Sequence, residues 1–345
     1  MGGARITDLT FQDGKDAMHR YVLTVTALAA ACVAAATPAS AQVTKLPPYL
    51  QETLAQIGPV FQSNIGKYIP ETVAAFQPLL KAAPKDGVSV SRNEAYGEDP
   101  QQRLDVYQPT PRSGAPVVIF VHGGAYVRGD KDGYGEAYAN IATWFARQGL
   151  LAINANYRLA PAAKWPEGAK DVGAITAWAK ANAARFGGDP GRIILIGHSA
   201  GATHVAGYLF DKSLQPAEGP GVAGAVLISG RYRIHYDPAD PNARNVQAYF
   251  GADEAQYAAR SPINHIGDSA RVPLFMVICE YENPGLDVGG AELLSALCAR
   301  DGNCPRFVRL GGHNHISEVL AFNTPDDYLG RQILSFLAAN AIDPC

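Results

Sequence analysis

The sequence changes character near Val88: from there onward, short apolar runs alternate with helix-like segments. Alternation of this kind predicts an α/β fold, with a mostly parallel sheet covered by helices on both faces. Eight strands are predicted, at residues 89–95, 103–108, 117–121, 151–156, 193–196, 222–228, 274–279 and 306–310. The segment 137–147 and the stretches around residues 170–185, 316–322 and 326–341 are predicted helices.

The segment before this alternation has a different pattern. Residues 46–83 carry apolar positions at helical spacing, interrupted by Pro59, Pro70 and Pro78. Because proline inside a helix removes a hydrogen bond and clashes with the preceding turn, we expect the helix to break at these positions. The chain is thus divided into a leader (1–41), a helical segment that is a candidate cap (42–85) and an α/β catalytic domain (86–345).

The leader has the form of a secretory signal peptide. A basic start at residues 18–20 precedes an apolar run at 21–36 and an Ala-Ser-Ala cleavage motif that ends at Ala41. We expect cleavage near Ala41, a mature chain in the periplasm or outside the cell, and no stable membrane insertion after cleavage. Met18 is a candidate start, because the acidic residues before it are unusual ahead of such a run. A single membrane anchor is the alternative interpretation.

Export changes the interpretation of the cysteines. With Cys32 removed in the leader, Cys279, Cys298, Cys304 and Cys345 remain in an oxidising compartment, where disulfides form. Cys298 and Cys304 are close enough in sequence for a local bridge, Cys345 could pair elsewhere, and Cys279 is predicted to be a buried core residue. No cysteine and histidine cluster has the spacing of a zinc site.

Charge and composition narrow the function. The net charge is -3, and no block of lysine and arginine is present, so the electrostatic signature of a nucleic-acid-binding protein is missing. With 47% hydrophobic and 18% charged residues the chain has a globular composition. These properties favour chemistry on a small molecule.

The motif Gly-His-Ser-Ala-Gly at 197–201 stands between a predicted strand and a stretch of small residues that can begin a helix. This context is that of a nucleophile elbow, in which a tight turn exposes the serine. The turn strains the backbone at Ser199, and side chains at Gly197 and Gly201 would collide with it. Ser199 is therefore the predicted nucleophile, and a purely structural turn is the alternative.

A serine hydroxyl needs a base, and the base needs an orienting acid. In this fold the chain order is serine, acid, histidine. The acid is expected just after the strand at 274–279, where Glu282 is preferred, while Glu280 borders the strand and Asp287 approaches the next helix. All three remain candidates.

The base is expected after the final strand, where two histidines stand close together. His315 is preferred because it directly precedes the predicted short helix at 316–322, whereas His313 lies in a glycine turn and remains the alternative. Neither His122 nor His198 qualifies, because both come before Ser199 or directly beside it in the chain.

Two glycines follow the strand at 117–121. Acyl transfer places negative charge on the carbonyl oxygen, and backbone N–H groups stabilise it without reorganisation. Gly123 and Gly124 allow close approach of a substrate, and the N–H of Ala200 is the further donor. These three residues are the predicted oxyanion hole.

Three motifs together resemble a known family. The segments HGGAY from His122, NYRLAP from Asn156 and GHSAG from Gly197 occur in an order that resembles the α/β-hydrolase esterases of the hormone-sensitive-lipase and arylformamidase-like group, over roughly residues 95–345. The resemblance implies the α/β-hydrolase fold and the roles given above. Ala125 and His198 stand where the hormone-sensitive-lipase pattern has glycine and aspartate, so the chain more closely resembles the arylformamidase and feruloyl-esterase-like branch.

The predicted activity is hydrolysis of short-chain or aryl carboxylic esters through an acyl-enzyme, with no cofactor or metal. An arylformamidase or amidase with the same triad, a peptidase, and a non-catalytic ligand-binding protein of this fold are the alternatives. Tyr126 and Trp165 are candidates for substrate contact, and Arg128 and Tyr232 are further candidates. The expected partner is a small ester, not nucleic acid.

Overall fold

The computed structural model describes residues 45–110 and 114–342. The predicted leader, the cleavage position at Ala41, Cys32 and Cys345 lie outside the described residues. Within them, no helix combines the length and the apolar character that a membrane crossing requires.

One sheet of eight strands organises the fold, as predicted. The strands are β1 (Val88–Ala95), β2 (Arg103–Pro109), β3 (Ala115–Val121), β4 (Leu151–Ala155), β5 (Gly188–His198), β6 (Gly224–Ile228), β7 (Leu274–Tyr281) and β8 (Arg306–Asn314). Their order across the sheet is β1-β2-β4-β3-β5-β6-β7-β8. Only the pairs β1–β2 and β2–β4 are antiparallel, so the mostly parallel sheet is confirmed.

Helices cover both faces of the sheet. They are α1 (Pro48–Ile57), α2 (Ile65–Ala82), α3 (Ala137–Arg147), α4 (Glu167–Asn182), α5 (Ala200–Phe210), α6 (Ala243–Phe250), α7 (Tyr257–Arg260), α8 (Leu286–Asp301), α9 (Ser317–Leu320) and α10 (Tyr328–Ala339). Short 3₁₀ segments span Gly58–Asn64, Ala183–Phe186, Lys212–Leu214, Glu254–Gln256 and Pro262–Asp268. The sequence pattern missed α6 and α7, and it anticipated α8 only at its start.

The strands separate two hydrophobic cores. In β3, Val118 and Phe120 point into a core shared with α1, α2, α3, α9 and α10. Val117 and Ile119 point to the other face, into a core shared with α4, α5 and α8. Because side chains alternate along a strand, a strand buried on both faces reads as a continuous apolar run, as this one does.

The N-terminal segment belongs to the first of these cores. Leu50 and Leu54 of α1 and Phe76 and Leu80 of α2 are fully buried there, beside residues of α3 and α10. Burial of each such side chain stabilises the fold by about 1.5–3 kcal/mol. The segment is therefore part of the structural core as well as a neighbour of the site described below.

The expectation that Pro70 and Pro78 break the helix is wrong. Both lie inside α2, which continues to Ala82. Pro70 is exposed, so the carbonyl that loses its partner can be hydrated, and the burial of Phe76 and Leu80 offsets the helix defect of about 3 kcal/mol. Pro59 does coincide with a break, since it lies in the 3₁₀ segment between α1 and α2.

The parallel strands bring distant parts of the sequence to one edge. The carboxyl ends of β3, β5, β6, β7 and β8 lead into Gly123, Ser199, Ser229, Glu282 and His315, respectively. In open α/β sheets ligands bind outside this edge.

The cysteines take two forms. Cys298 and Cys304 form a disulfide that joins the end of α8 to the loop before β8. Cys279 is a buried free thiol in β7, where burial raises the pKa of the thiol well above its usual range.

Candidate active site

Ser199 sits on a strained turn between β5 and α5. Its backbone has φ 56° and ψ −121°, a conformation that non-glycine residues rarely adopt. The turn is held by a hydrogen bond from the Ser199 N–H to the carbonyl of Ile228, at 2.9 Å. Strain of this kind persists only where the surrounding structure fixes it, and it is typical of functional sites.

The flanking glycines are required, although not for contact with the serine. A Cβ at Gly197 would lie 2.6 Å from the backbone of Ala202, and one at Gly201 would lie 2.1 Å from the carbonyl oxygen of Val121. The first contact is with the start of α5 and the second with the end of β3. Both glycines therefore let the helix approach the sheet closely beneath Ser199.

Ser199, His315 and Glu282 form a continuous hydrogen-bond chain. The Ser199 Oγ lies 3.0 Å from His315 Nε2. On the other side of the ring, Glu282 Oε1 accepts a short hydrogen bond from Nδ1. His315 and Glu282 are 3% and 1% exposed, whereas Ser199 is partly exposed. The hydrogen-bond chain therefore runs from the buried Glu282 to a serine that solvent can reach.

Glu282 is held as a carboxylate. Burial opposes its ionisation, but the charge of His315 and its hydrogen bond prevail, so the pKa of Glu282 lies below its usual value. Its Oε1 also accepts from the N–H of Asn283 at 2.9 Å, and its Oε2 lies 3.4 Å from the N–H of Cys279. The carboxylate therefore fixes the His315 ring with Nδ1 protonated and Nε2 facing the serine.

The other acid candidates lie elsewhere. Glu280 is in β7, where it accepts from the N–H of Gly312 and pairs with Arg309. Asp287 lies in the first turn of α8 and accepts from the N–H of Val288. Neither carboxylate contacts His315.

His313, the other candidate for the base, forms hydrogen bonds away from Ser199. His313 is buried in β8 instead of lying in a glycine turn, so that expectation is wrong. Its Nε2 lies 3.1 Å from Asp326 and its Nδ1 lies 3.1 Å from Ser317 Oγ. A bulge between β7 and β8 lets the strand continue past the glycines.

His198 contacts the backbone of His315 and so helps to position the base. Its Nε2 donates to the carbonyl oxygen of His315 at 2.9 Å, and the two rings are 4.8 Å apart. Burial, assisted by the nearby His315, lowers the pKa of His198 to about 3, so the ring is neutral. Sequence reasoning assigned this residue only to the motif, because the contact joins positions that are 117 residues apart.

The turn after β3 borders the serine from the side. Gly124 and Ala125 line the cavity next to Ser199, with Ala125 at φ 50°. A Cβ at Gly124 would lie 1.8 Å from the carbonyl oxygen of Arg128, so only glycine fits there. Ala200, the first residue of α5, also lines a cavity at Ser199.

Gly123 occupies a different position from Gly124. It is buried, its backbone lies beside the Tyr138 hydroxyl, and it does not line the cavities at Ser199. A Cβ on it would come within 3.0 Å of the Ser199 Cβ. Gly123 therefore packs closely against the serine, and its role as an oxyanion donor stays a prediction. Ala125, which was not predicted as a donor, borders the cavity beside Gly124.

Two small cavities flank Ser199. One, of about 20 Å³, is bordered by Tyr126, Arg231, Val246 and Leu286. The other, of about 30 Å³, is bordered by Ile65 and Ile69 of the N-terminal segment, together with Arg128, Tyr134 and His315. Asn242 and Asn283 border both cavities.

Only some of the residues predicted to contact the substrate line the two cavities at Ser199. Tyr126 lines the first cavity and stacks on Tyr249, with ring centroids 5.0 Å apart. Trp165 borders a separate cavity beside His204, and its role in substrate contact stays a prediction. Tyr232 is buried, and its hydroxyl accepts from the N–H of Gly230.

Glu318 is a buried polar group at the site, as are His198, Glu282 and His315. It forms part of two groups of potential metal ligands, one with His198 and His315 and the other with Cys279 and Glu282, in which the atoms lie within 4.8 Å of one another. Each group contains a member of the hydrogen-bond chain. A metal bound there would therefore compete with the contact between His315 and Glu282.

Comparisons with known proteins agree with this geometry. A family model described as BD-FAE matches residues 104–212, which include the turn after β3 and the nucleophile elbow. Esterase LipC of Mycobacterium tuberculosis is 39% identical over 150 residues, which is 41% of this chain and 36% of that protein. A probable isoprenylcysteine alpha-carbonyl methylesterase of Oryza sativa subsp. japonica, ICMEL1, is 43% identical over 154 residues, which is 42% of this chain and 35% of that protein. The chain thus spans about a third of the length of these curated relatives.

A solved structure extends the likeness beyond the matched segment. The hyperthermophilic esterase from the archaeon Pyrobaculum calidifontis is 21% identical, with a TM-score of 0.66, and the match covers 86% of this chain and 99% of that chain. At this identity the likeness shows the fold. The chain therefore has the α/β-hydrolase fold, and its resemblance to the esterases of the hormone-sensitive-lipase and feruloyl-esterase-like type is confirmed.

Proposed function

We propose that this protein is a serine hydrolase that cleaves small carboxylic esters through an acyl-enzyme intermediate. The observation that carries the proposal is the hydrogen-bond chain from Ser199 through His315 to Glu282, which ends on a serine in a strained turn. Nucleophile, base and orienting acid are the three parts that acyl transfer requires. The names of the relatives support the same reaction class.

Acylation begins when Ser199 Oγ attacks the ester carbonyl carbon and His315 Nε2 takes its proton. The resulting imidazolium is stabilised by Glu282, which stays ionised because its pKa lies below the usual value. His315 then gives the proton to the leaving alcohol, so the carbon–oxygen bond breaks and the acyl group remains on Ser199. In deacylation His315 takes a proton from water, and the oxygen of that water forms a bond to the acyl carbon. The bond from the acyl carbon to Ser199 Oγ then breaks, His315 returns the proton to Oγ, and the carboxylic acid leaves.

The negative charge on the carbonyl oxygen needs donors on the cavity side of Ser199. We assign this role to the backbone N–H groups of Gly124, Ala125 and Ala200, which border the cavities there. Ala200 also begins α5, whose N-terminal end carries a partial positive charge. Loss of one such donor costs about a hundred- to thousandfold in turnover. The donor role expected of Gly123 from the sequence stays a prediction.

The size of the cavities supports a preference for small acyl groups. Volumes of about 20 and 30 Å³ leave room for only one or two water molecules. The smallest acyl groups demand the least additional space beside Ser199, whereas a long acyl chain would have to extend into solvent. The natural substrate class is therefore proposed to be short-chain or small aryl esters.

The test is turnover of p-nitrophenyl acetate, butyrate, octanoate and palmitate by the full chain and by its Ser199→Ala variant. A feruloyl ester and N-formylkynurenine are measured in parallel. We expect turnover that is highest for acetate and that falls by at least about a thousandfold in the variant. Equal rates for both proteins, or cleavage of the formamide alone, would contradict the proposal.

We further propose that the protein is exported. The basic start, apolar run and Ala-Ser-Ala motif of the leader support this, and so does the pair Cys298–Cys304, since disulfides persist mainly in oxidising compartments. N-terminal sequencing of the protein recovered from the periplasm or medium of a bacterial host tests it. A chain that starts at Gln42 is the expected product, and unprocessed chain confined to the cytosol would argue against export.

A further inference from the structure

The side chain of Glu318 is buried without a hydrogen-bond partner. It lies in α9, is 0% exposed, and neither of its carboxyl oxygens has a partner within the part of the chain that the structure describes. Burial of an unpaired ionised carboxylate is very costly, so such a group takes up a proton or serves a function that justifies the cost.

The surroundings of Glu318 are those of the triad. Its Oε1 lies 3.4 Å from His198 Nε2 and 3.9 Å from His315 Nδ1. Cys279 of β7 and Glu282, which follows that strand, have ligand atoms within 4.8 Å of the Glu318 carboxyl. The charge of an ionised Glu318 would also act on Tyr232, which follows β6. His198 is neutral, and burial keeps the Cys279 thiol and the Tyr232 phenol protonated.

Two carboxyl groups at this distance cannot both be ionised in a buried site. Glu282 carries the charge because it has the hydrogen bonds from His315 and from the N–H of Asn283. Glu318 has neither of these donors, and burial together with the charge of Glu282 raises the pKa of Glu318 well above its usual range, although the nearby Ser229 hydroxyl acts in the opposite direction. In the resting site Glu318 is therefore neutral.

We propose that Glu318 is a reserve acid for His315, a positioning residue whose carboxylate accepts the Nδ1–H hydrogen bond when a neutral side chain replaces Glu282. The proposal rests on the esterase function proposed above. Its basis is the placement of a second acceptor 3.9 Å from the same nitrogen. A movement of about 1 Å would bring the two atoms to hydrogen-bond distance.

Replacement of Glu282 by glutamine makes the proposed role of Glu318 measurable. Burial still opposes ionisation of Glu318 in this variant, but the repulsion from Glu282 disappears, so the pKa of Glu318 falls and its proton is lost at a lower pH than in wild type. Its carboxylate then accepts from His315 Nδ1 and stabilises the imidazolium, in place of Glu282. The remaining activity of this variant should consequently depend on Glu318 and increase with pH.

The experiment compares wild type, Glu282→Gln, Glu318→Gln and the double variant, with kcat and KM for p-nitrophenyl acetate measured across pH. Loss of the orienting acid without a substitute costs about ten-thousandfold in kcat. We expect a loss of about a hundredfold for Glu282→Gln, under about tenfold for Glu318→Gln, and the full ten-thousandfold for the double variant, since residues that act as a unit are non-additive. Glu292→Gln, at an exposed residue of α8, is the control for a change from glutamate to glutamine.

Equal kcat values for Glu282→Gln and the double variant, at every pH, would overturn the reserve role. If Glu318→Gln prevents folding, the pH profiles of Glu282→Gln and wild type decide: a rise in kcat that wild type does not show supports the role, and a profile parallel to that of wild type overturns it. A merely structural Glu318 would give no such rise.

A second measurement separates this proposal from the proposed function. In protein labelled with ¹⁵N-histidine, the Nδ1–H proton of His315 in Glu282→Gln should stay strongly deshielded at alkaline pH and lose that shift in the double variant. Failure of wild type to hydrolyse esters would refute the esterase function, and this resonance would still decide on the reserve acid. An unshifted resonance in Glu282→Gln would overturn it.

Discussion

Gly201 and Gly207 both lie in α5, yet an added methyl group would meet very different surroundings at the two positions. At Gly201 it would lie 2.1 Å from the Val121 carbonyl oxygen, which belongs to the sheet backbone. At Gly207 it would lie 3.4 Å from the Ala169 side chain, an ordinary contact. The close packing of α5 on the sheet beneath Ser199 therefore leaves no room for a side chain at Gly201.

Gly201→Ala is expected to lower the free energy of unfolding by about 1–3 kcal/mol, because the backbone must shift to admit the methyl group. The same shift moves Ser199 away from His315 and should reduce ester turnover by at least tenfold, about the cost of a modest misplacement. Urea denaturation and p-nitrophenyl acetate turnover measure the two effects. Gly207→Ala, the control, should be neutral or raise stability by up to about 1 kcal/mol. Equal effects at both positions would contradict the packing argument.

A site residue can be predicted from the sequence when its position along the chain identifies it, and it is missed when only its contacts in the folded protein do so. Ser199, Glu282 and His315 could be found because each follows a strand in an order that the fold imposes. The contacts of His198 and Glu318 could not, because they depend on how β5, β7 and α9 meet in space. Trp165 was an aromatic residue near a motif, and nothing local distinguishes an aromatic residue that packs from one that binds a substrate.

Helix α2 brings the N-terminal segment to the site. Ile65 and Ile69 line the cavity beside Ser199, and Thr72 accepts a hydrogen bond from the Asn314 side chain, next to His315. Deletion of the segment is not a clean test of its role in specificity, because its core residues would be lost with it. A single substitution at the cavity wall is the better probe.

Ile69→Ala should widen the cavity and shift the preference among p-nitrophenyl esters from acetate towards butyrate and octanoate. The removed methylene and methyl groups are worth about 1–3 kcal/mol in a hydrophobic pocket, which corresponds to a change of at least about fivefold in the ratio of kcat/KM values. Val73→Ala, one turn further along α2 and outside the cavity, is the control. An unchanged ratio in Ile69→Ala would exclude this helix from acyl selection.

At the level of elements, all eight strands were predictable, because buried strands give continuous apolar runs with turn residues between them. The errors came from tertiary packing that overrides local preference. Core contacts of Phe76 and Leu80 maintain α2 through two prolines, and the bulge near Gly312 extends β8 to Asn314, which places His313 in a strand. No local pattern in the sequence reports either effect.

Across the whole molecule, three buried histidines link stability to pH. Burial lowers the pKa of His122 to about 4, and it lowers those of His198 and His204 to about 3, with His315 and His122, respectively, adding to the effect. Between these values and the usual 6.5, the unfolded chain binds protons that the folded protein does not. The stability from neutral histidines is therefore complete above about pH 6.5 and is lost as the pH falls towards 4.

His204→Phe tests this linkage at a site packed among aromatic rings. Each buried neutral histidine contributes about 1.4 kcal/mol per pH unit to the slope of the unfolding free energy in this range. The variant should lose less stability than wild type between pH values of about 6 and 4, by roughly that slope, in urea denaturation. His235→Gln, at an exposed position, should leave the slope unchanged. Parallel curves for wild type and His204→Phe would refute the assignment.

The order of strands in the sheet also determines when the protein can first become active. Ser199 and His315 are 116 residues apart in the chain, and they meet only after β5, β6, β7 and β8 have aligned. Parallel pairings of this kind close long loops and form slowly compared with helices. During refolding from denaturant, helical circular dichroism should therefore recover before ester turnover. The catalytic assay would then report the last contacts of the folding reaction.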